Sequence, residues 1–274
     1  MRLLRFVSAR IFLIAGLITV LAACSGGSDD KAYVEKPVNE LYNSAVNAIE
    51  NQRYLDATQL FEEVERQHPY SVWATKAQIM AAYANYKASK YDDAIIALNR
   101  FIQLHPGSRD VAYAYYLKAL SFYEQISDIQ RDQAITNQAL TALRDIVRRF
   151  PRSKFAQDAK LKIDLTQDHL AGKEMTVGRY YLRRKELLSA INRFRIVVDK
   201  FQTTSHVPEA LHRLTEAYAT LGMRKEAQKA AAVLGHNYPG SEWYSDSYAL
   251  VTGKDKRQQK DKPGFLKRAW NWVF

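Results

Sequence analysis

A single cysteine, Cys24, occurs in 274 residues. One thiol excludes intramolecular disulfides and any cysteine-based zinc site, even in an oxidising compartment. Long hydrophobic runs are missing too: Ile11 to Val20 falls well short of the roughly 20 residues a membrane-spanning helix needs. There is no HExxH, no glycine-rich phosphate loop and no GxSxG, so the commonest metal, nucleotide and hydrolase signatures are absent. No segment alternates convincingly with the period of a strand. A basic stripe of the kind that binds nucleic acid is lacking as well. The formal net charge is +11, but three of those charges sit in residues 1–23. Residues 253–274 hold seven Lys/Arg against Asp255 and Asp261, so the stretch between carries only about +3.

Before Cys24 the chain follows signal-peptide grammar. Arg2, Arg5 and Arg10 form a positive n-region, the short apolar run comes next, and Ala22 and Ala23 supply small residues ahead of the cut. Leu21-Ala22-Ala23-Cys24 resembles a bacterial lipobox. That resemblance implies cleavage before Cys24, with an S-diacylglycerol and an N-acyl chain on it and no other cofactor. Ser25, in place of aspartate, implies sorting to the outer membrane. A buried structural thiol is the alternative reading of a lone cysteine. Residues 1–23 are expected to be a lipoprotein signal peptide, and 24–37 a lipidated tether.

The rest of the chain repeats. Ala57, Ala94, Ala139, Ala190 and Ala227 each precede Pro69, Pro106, Pro151, Gln202 and Pro239 by twelve residues. HPYS, HPGS, FPRS and YPGS recur at these ends, and FQTTS is a degenerate copy. Between alanine and proline, apolar residues return at helical spacing, as in Phe61 and Val64 or Phe194 and Val197, so each segment is a helix stopped by a turn. Twelve residues before the alanines stand Ala45, Ala82, Gly178 and Thr215, where small side chains let a preceding helix approach closely. This is the tetratricopeptide pattern of paired antiparallel helices. It predicts an all-α tetratricopeptide-repeat (TPR) solenoid over 38–252, with five helix pairs ending near 71, 108, 153, 205 and 241. Repeat ends lie 37, 45, 51 and 37 residues apart, so the middle is enlarged. Repeat three has a longer connection around Ser127 to Asp132, and an extra helix, roughly Lys154 to Leu170, precedes repeat four.

No residue set points to catalysis or metal binding. His68 and His105 fall where other copies carry Phe150, Phe201 and Tyr238, which reads as a planar side chain at a helix end. His206 and His212 flank Pro208 at a helix start, where a cap or surface role is expected. Function then lies in surfaces. First helices line the concave face of such a solenoid. The register puts Asn39 and Tyr42 of repeat one and Lys76, Tyr83 and Lys87 of repeat two on that face. Aromatics beside lysines suit a peptide with apolar side chains and a free carboxylate. A solvated face with half-buried tyrosines is the alternative.

The lipobox, the enlarged middle and the segments DHLAGKEM (168–175), HVPEALHRLTEAY (206–218) and VLGHNYPGSEWY (233–244) together resemble the BamD (ComL, YfiO) family of lipoproteins of the β-barrel assembly machinery, over about Asn39 to Leu250. The resemblance implies a non-enzymatic scaffold, held at the outer membrane by its acyl anchor and facing the periplasm. Its implied partners are a BamA-like β-barrel protein, other Bam lipoproteins and C-terminal segments of unfolded outer membrane proteins. The family's NR pair matches Asn192-Arg193, so Arg193 is implied to make a charge contact to BamA, and a plain surface arginine is the alternative. A pilus- or secretin-assembly or peptidoglycan-associated TPR lipoprotein is the competing identity.

In the basic tail, 253–274, FLKRAWNWVF reads two ways. As a helix it places Leu266 and Trp270 on one face; as a strand it alternates Trp270, Trp272 and Phe274 up to a terminal carboxylate. The first reading suits a membrane or partner contact through Phe265, Trp270, Trp272 and Phe274. The second resembles the C-terminal signal of β-barrels and would let the tail enter the protein's own groove or a neighbour's.

Overall fold

A computed structural model describes residues 35–253. Cys24, most of the tether and the tail residues Phe265, Trp270, Trp272 and Phe274 lie outside the described residues. Eleven helices run through the described part: α1 (Val38–Glu50), α2 (Tyr54–Gln67), α3 (Val72–Lys87), α4 (Tyr91–Leu104), α5 (Val111–Tyr123), α6 (Ala134–Arg149), α7 (Lys154–Arg183), α8 (Leu187–Lys200), α9 (Val207–Thr220), α10 (Arg224–Asn237) and α11 (Glu242–Thr252). They pair as α1/α2, α3/α4, α5/α6, α7/α8 and α9/α10, each pair stacking on the next, and α11 closes the array. The five register alanines are 0–2% exposed.

Helix ends follow local chemistry. His68, His105, Phe150, Phe201 and Tyr238 are the C-cap residues of the five second helices, as the planar-residue reading expects. Ser71 and Ser153 cap α3 and α7, their Oγ atoms accepting the N–H of Ala74 and Ala156 at 3.1 and 3.2 Å. Turns inside repeats one, two, four and five share a left-handed residue: Gln52, Ser89, Lys185 and Gly222. Each donates to a carbonyl three residues back and its successor to one five residues back, for instance Lys185 to Leu182 and Glu186 to Tyr181. This double bond satisfies the last carbonyls of the first helix. Repeat three instead has the long connection 124–133.

The apolar core is a chain of local clusters. Phe61 and Val64 centre repeat one, Leu98 and Phe101 repeat two, Leu143 and Ile146 repeat three, and Phe194, Val197 and Leu234 repeats four and five. Each cluster draws on its own pair and the next first helix, which is the nearest-neighbour logic of a solenoid.

Two expectations are corrected. The extra helix before repeat four is not separate: it is the N-terminal half of α7, whose 30 residues also supply that repeat's first helix. No proline interrupts 152–207, so no local signal breaks the ladder, and α7 extends about 45 Å. Its first half packs on repeat three, where Phe155 meets Tyr113 and Tyr116 at 5.5 and 5.1 Å. Its second half pairs with α8. His212 is not a surface residue: it is 8% exposed and bonds Ser247 of α11 at 2.9 Å. Beyond the five pairs, α11 forms a distinct capping helix, held by the His212 ring against Trp243 at 5.1 Å and by Arg213 over the same indole at 5.3 Å.

Candidate functional site

The predicted groove begins on α1 and α3. Tyr42 is half-buried between Phe61 (5.4 Å) and Trp73 (4.7 Å), and Lys76 holds its ammonium 5.3 Å from the Trp73 ring. Asn39 is exposed one turn before Tyr42. Tyr83 and Lys87 continue the same face of α3, since seven and eleven residues return to within about 20° of position 76. Tyr83 packs half-buried among the repeat-two residues. Lys87 stands at the helix end, 5.9 Å from Tyr54 of α2. Tyr42, Trp73 and Lys76 thus form one contiguous cluster, with Tyr83 and Lys87 two and three turns further along.

The next part of this face is stitched by hydroxyl–carboxylate bonds. Tyr86 of α3 donates to Glu124 Oε1 at 3.2 Å, and Tyr116 of α5 to Asp158 Oδ2 of α7 at 2.5 Å. Lys162 lies over Tyr123 at 5.5 Å. Burial raises the Tyr86 and Tyr113 hydroxyls to about 12 and pushes Tyr116 higher still, with the carboxylate partners of Tyr86 and Tyr116 adding to it. These phenols stay protonated donors at any ordinary pH. The Tyr116 hydroxyl in turn holds Asp158 below the usual carboxylate range. The pairs Tyr83/Tyr86 and Tyr113/Tyr116, each three apart on neighbouring first helices, were the available signal.

Arg193 lies on α8, 40% exposed, with one guanidinium nitrogen 3.1 Å from Glu174 Oε2 of α7. A guanidinium has further donors, so a second carboxylate can be accommodated. Glu174 belongs to the DHLAGKEM stretch, which is a clasp. Asp168 accepts the Ser205 N–H and Oγ–H at 3.0 and 2.8 Å, and Lys173 reaches the Gln130 carbonyl at 2.9 Å. Gly172 makes room for the His206 ring. Nearby, Arg179 grips Glu209 of α9 with two bonds at 2.9 and 2.7 Å. Burial alone would raise the Glu209 carboxyl, but Arg179 and Arg213 hold it low.

A cleft of about 550 Å³ lies elsewhere, between α2 and α4, and includes none of the predicted groove residues. Its Glu65 is already bonded to Gln78 and Arg100. Among the described residues no group of acids and histidines could hold a metal, and no helix is long and apolar enough to cross a membrane.

Five antiparallel helix pairs with small residues at their contacts define a TPR solenoid. A family model described as "Outer membrane lipoprotein" (YfiO) matches residues 34–247. An outer membrane protein assembly factor BamD of Caulobacter vibrioides is 48% identical over 239 residues, 86% of this chain and 78% of that one. The BamD of Rickettsia prowazekii is 45% identical over 251 residues, 92% and 98% of the two chains. Among solved structures, a thermophilic TPR protein of Thermus thermophilus aligns over 78% of this chain and 99% of its own, at a TM-score of 0.37 and 19% identity. The chain belongs to the BamD (YfiO) family of outer membrane protein assembly factors.

Proposed function

We propose that this chain is a scaffold of β-barrel assembly, tethered to the outer membrane through acylated Cys24 and facing the periplasm. Its first-helix face receives C-terminal segments of unfolded outer membrane proteins, and its fourth repeat engages a BamA-like β-barrel protein beside other Bam lipoproteins. The Tyr42–Trp73–Lys76 cluster carries this reading. It offers aromatic surface to apolar side chains and, at one edge, a lysine free of any ion pair among the described residues to meet a terminal carboxylate. Asn39, Tyr83 and Lys87 extend the face, and Arg193 supplies the partner contact through donors that Glu174 leaves over.

One experiment separates the two surfaces: recovery of the tagged, acylated protein from membranes, with quantification of what accompanies it. Lys76→Glu should lose unfolded outer membrane proteins and retain the BamA-like partner. Arg193→Glu should do the reverse. Equal recovery of both classes with both variants would refute the assignment.

A further inference from the structure

First helices α1, α3, α5 and α7 all begin at one edge, and the chain enters there. His68 Nε2 donates to the Lys36 carbonyl at 2.7 Å, and the Lys36 N–H donates to Gln67 Oε1 at 2.8 Å. Lys36, at the start of the described body, is therefore pinned to the end of α2. Eleven residues, 24 to 34, separate the described body from the acyl site. Even fully extended they span no more than about 40 Å.

The rim beside this entry point is unlike the corresponding turns of repeats four and five. Tyr70 is 102% exposed, Val72 77% and Leu104 56%, whereas no large apolar residue is so exposed in 201–206 or 238–241. Around them Lys36, Arg109, Arg152 and Lys154 are exposed and make no ion pair among the described residues. Exposed Glu35, Glu40 and Asp110 only partly offset them. Apolar and aromatic tips interspersed with free cations, on a rim of turns, match the headgroup region of an anionic bilayer rather than a folded partner.

We propose that this edge of repeats one to three lies on the membrane and binds anionic phospholipid headgroups, orienting the first-helix face relative to the bilayer. The proposal rests on the reading of Cys24 as the anchor. A second cationic rim, Arg183, Lys185 and Arg224 around exposed Leu188 (69%) and Leu221 (40%), is its rival. That rim sits at the far end of α7, so the two cannot both lie flat on one membrane.

Because Cys24 is the sole native thiol, an environment-sensitive label can be placed at Tyr70→Cys or at Leu188→Cys in the acylated full chain. The protein is reconstituted in phosphatidylcholine vesicles with or without phosphatidylglycerol and with a nitroxide quencher on the lipid. Position 70 should be quenched in the anionic vesicles and position 188 should not. Each cation near such a surface contributes about fivefold in affinity, so reversing Arg109, Arg152 and Lys154 to Glu should abolish the quenching while helix content stays constant. Stronger quenching at 188, none at either position, or quenching that survives charge reversal overturns the proposal. The anchor is read separately by mass. A Cys24 that lacks acyl chains and takes up label sinks the anchor reading, and the position-70 test is then made with Cys24→Ser protein added to the same vesicles.

Discussion

Gly178 and Gly172 lie six residues apart on α7, and adding one methyl group to each should have opposite consequences. A Cβ on Gly178 would sit 2.5 Å from Phe194 Cε1, with Cδ1 and Cζ at 2.8 and 2.9 Å. Phe194 is 0% exposed and locked in the largest apolar cluster, so its ring has nowhere to go. Alanine for glycine in a helix gains about 1 kcal/mol, whereas overpacking costs about 1–3 kcal/mol, so Gly178→Ala should lose about 0–2 kcal/mol. At Gly172 the nearest atom is His206 Nε2, at 3.2 Å on a half-buried side chain. That ring can give by a few tenths of an ångström, so Gly172→Ala should gain up to about 1 kcal/mol. Urea denaturation followed by circular dichroism should separate the two variants by about 2 kcal/mol, or about 4–8 °C in Tm for a domain of this size. Adding Phe194→Leu should remove the penalty at 178 and leave 172 untouched, as expected for residues in contact. Equal stability of the two variants, or strict additivity of Gly178→Ala with Phe194→Leu, would refute the close-approach argument.

Two further outcomes rest on local geometry. Lys185 occupies a left-handed conformation (φ 62°) that Gly222 adopts in repeat five (φ 74°), and a side chain there costs roughly 1–2 kcal/mol. Lys185→Gly should therefore stabilise and Gly222→Ala destabilise by about 1 kcal/mol each, read as opposite shifts of the urea midpoint. His212 is held below its ordinary pKa, first by burial and then by Arg213, against the opposing pull of Glu216, Asp246 and Glu209. The undocked state then binds a proton that the docked one resists. The docking energy is complete above about pH 6.5 and is lost as pH falls toward the depressed folded value, at most about 1.4 kcal/mol per pH unit. Hydrogen exchange in α11, corrected for its intrinsic rate and compared with α3, should accelerate between pH 7.5 and pH 5, and His212→Gln should flatten that dependence. An α11 that exchanges with the same pH response as α3 would count against the His212–Ser247 latch.

The repeat register was legible because two steric demands write themselves into the sequence: small residues where helices touch, and proline where the second helix ends. Ala57 through Ala227 and Pro69 through Pro239 reported both. The continuity of α7 was not legible, because a helix that spans two units differs from two helices only by the absence of a stop, and absence has no periodicity. Gln52, Ser89 and Lys185 hid their left-handed turns because none is glycine. His212 read as a cap because it comes soon after Pro208, while its partner Ser247 lies 35 residues on in a helix whose docking depends on tertiary contact. On α3, lysines and aromatics at helical spacing were legible as one face of a helix. The hydroxyl–carboxylate bonds that stitch it to α5 and α7 depend on register between helices, which a single sequence does not encode locally.

The unbroken α7 also turns residue count into angle. Elsewhere in the array an added residue falls near a turn, and a connection such as 124–133 can absorb it without disturbing the later repeats. Within α7 there is no such slack, so one inserted residue between the two halves would swing repeats four and five by about 100° about the helix axis and push them about 1.5 Å along it. The bearing of repeats four and five relative to repeats one to three is thus set digitally, by the number of residues between Phe155 and Gly178, whichever side chains fill the positions between.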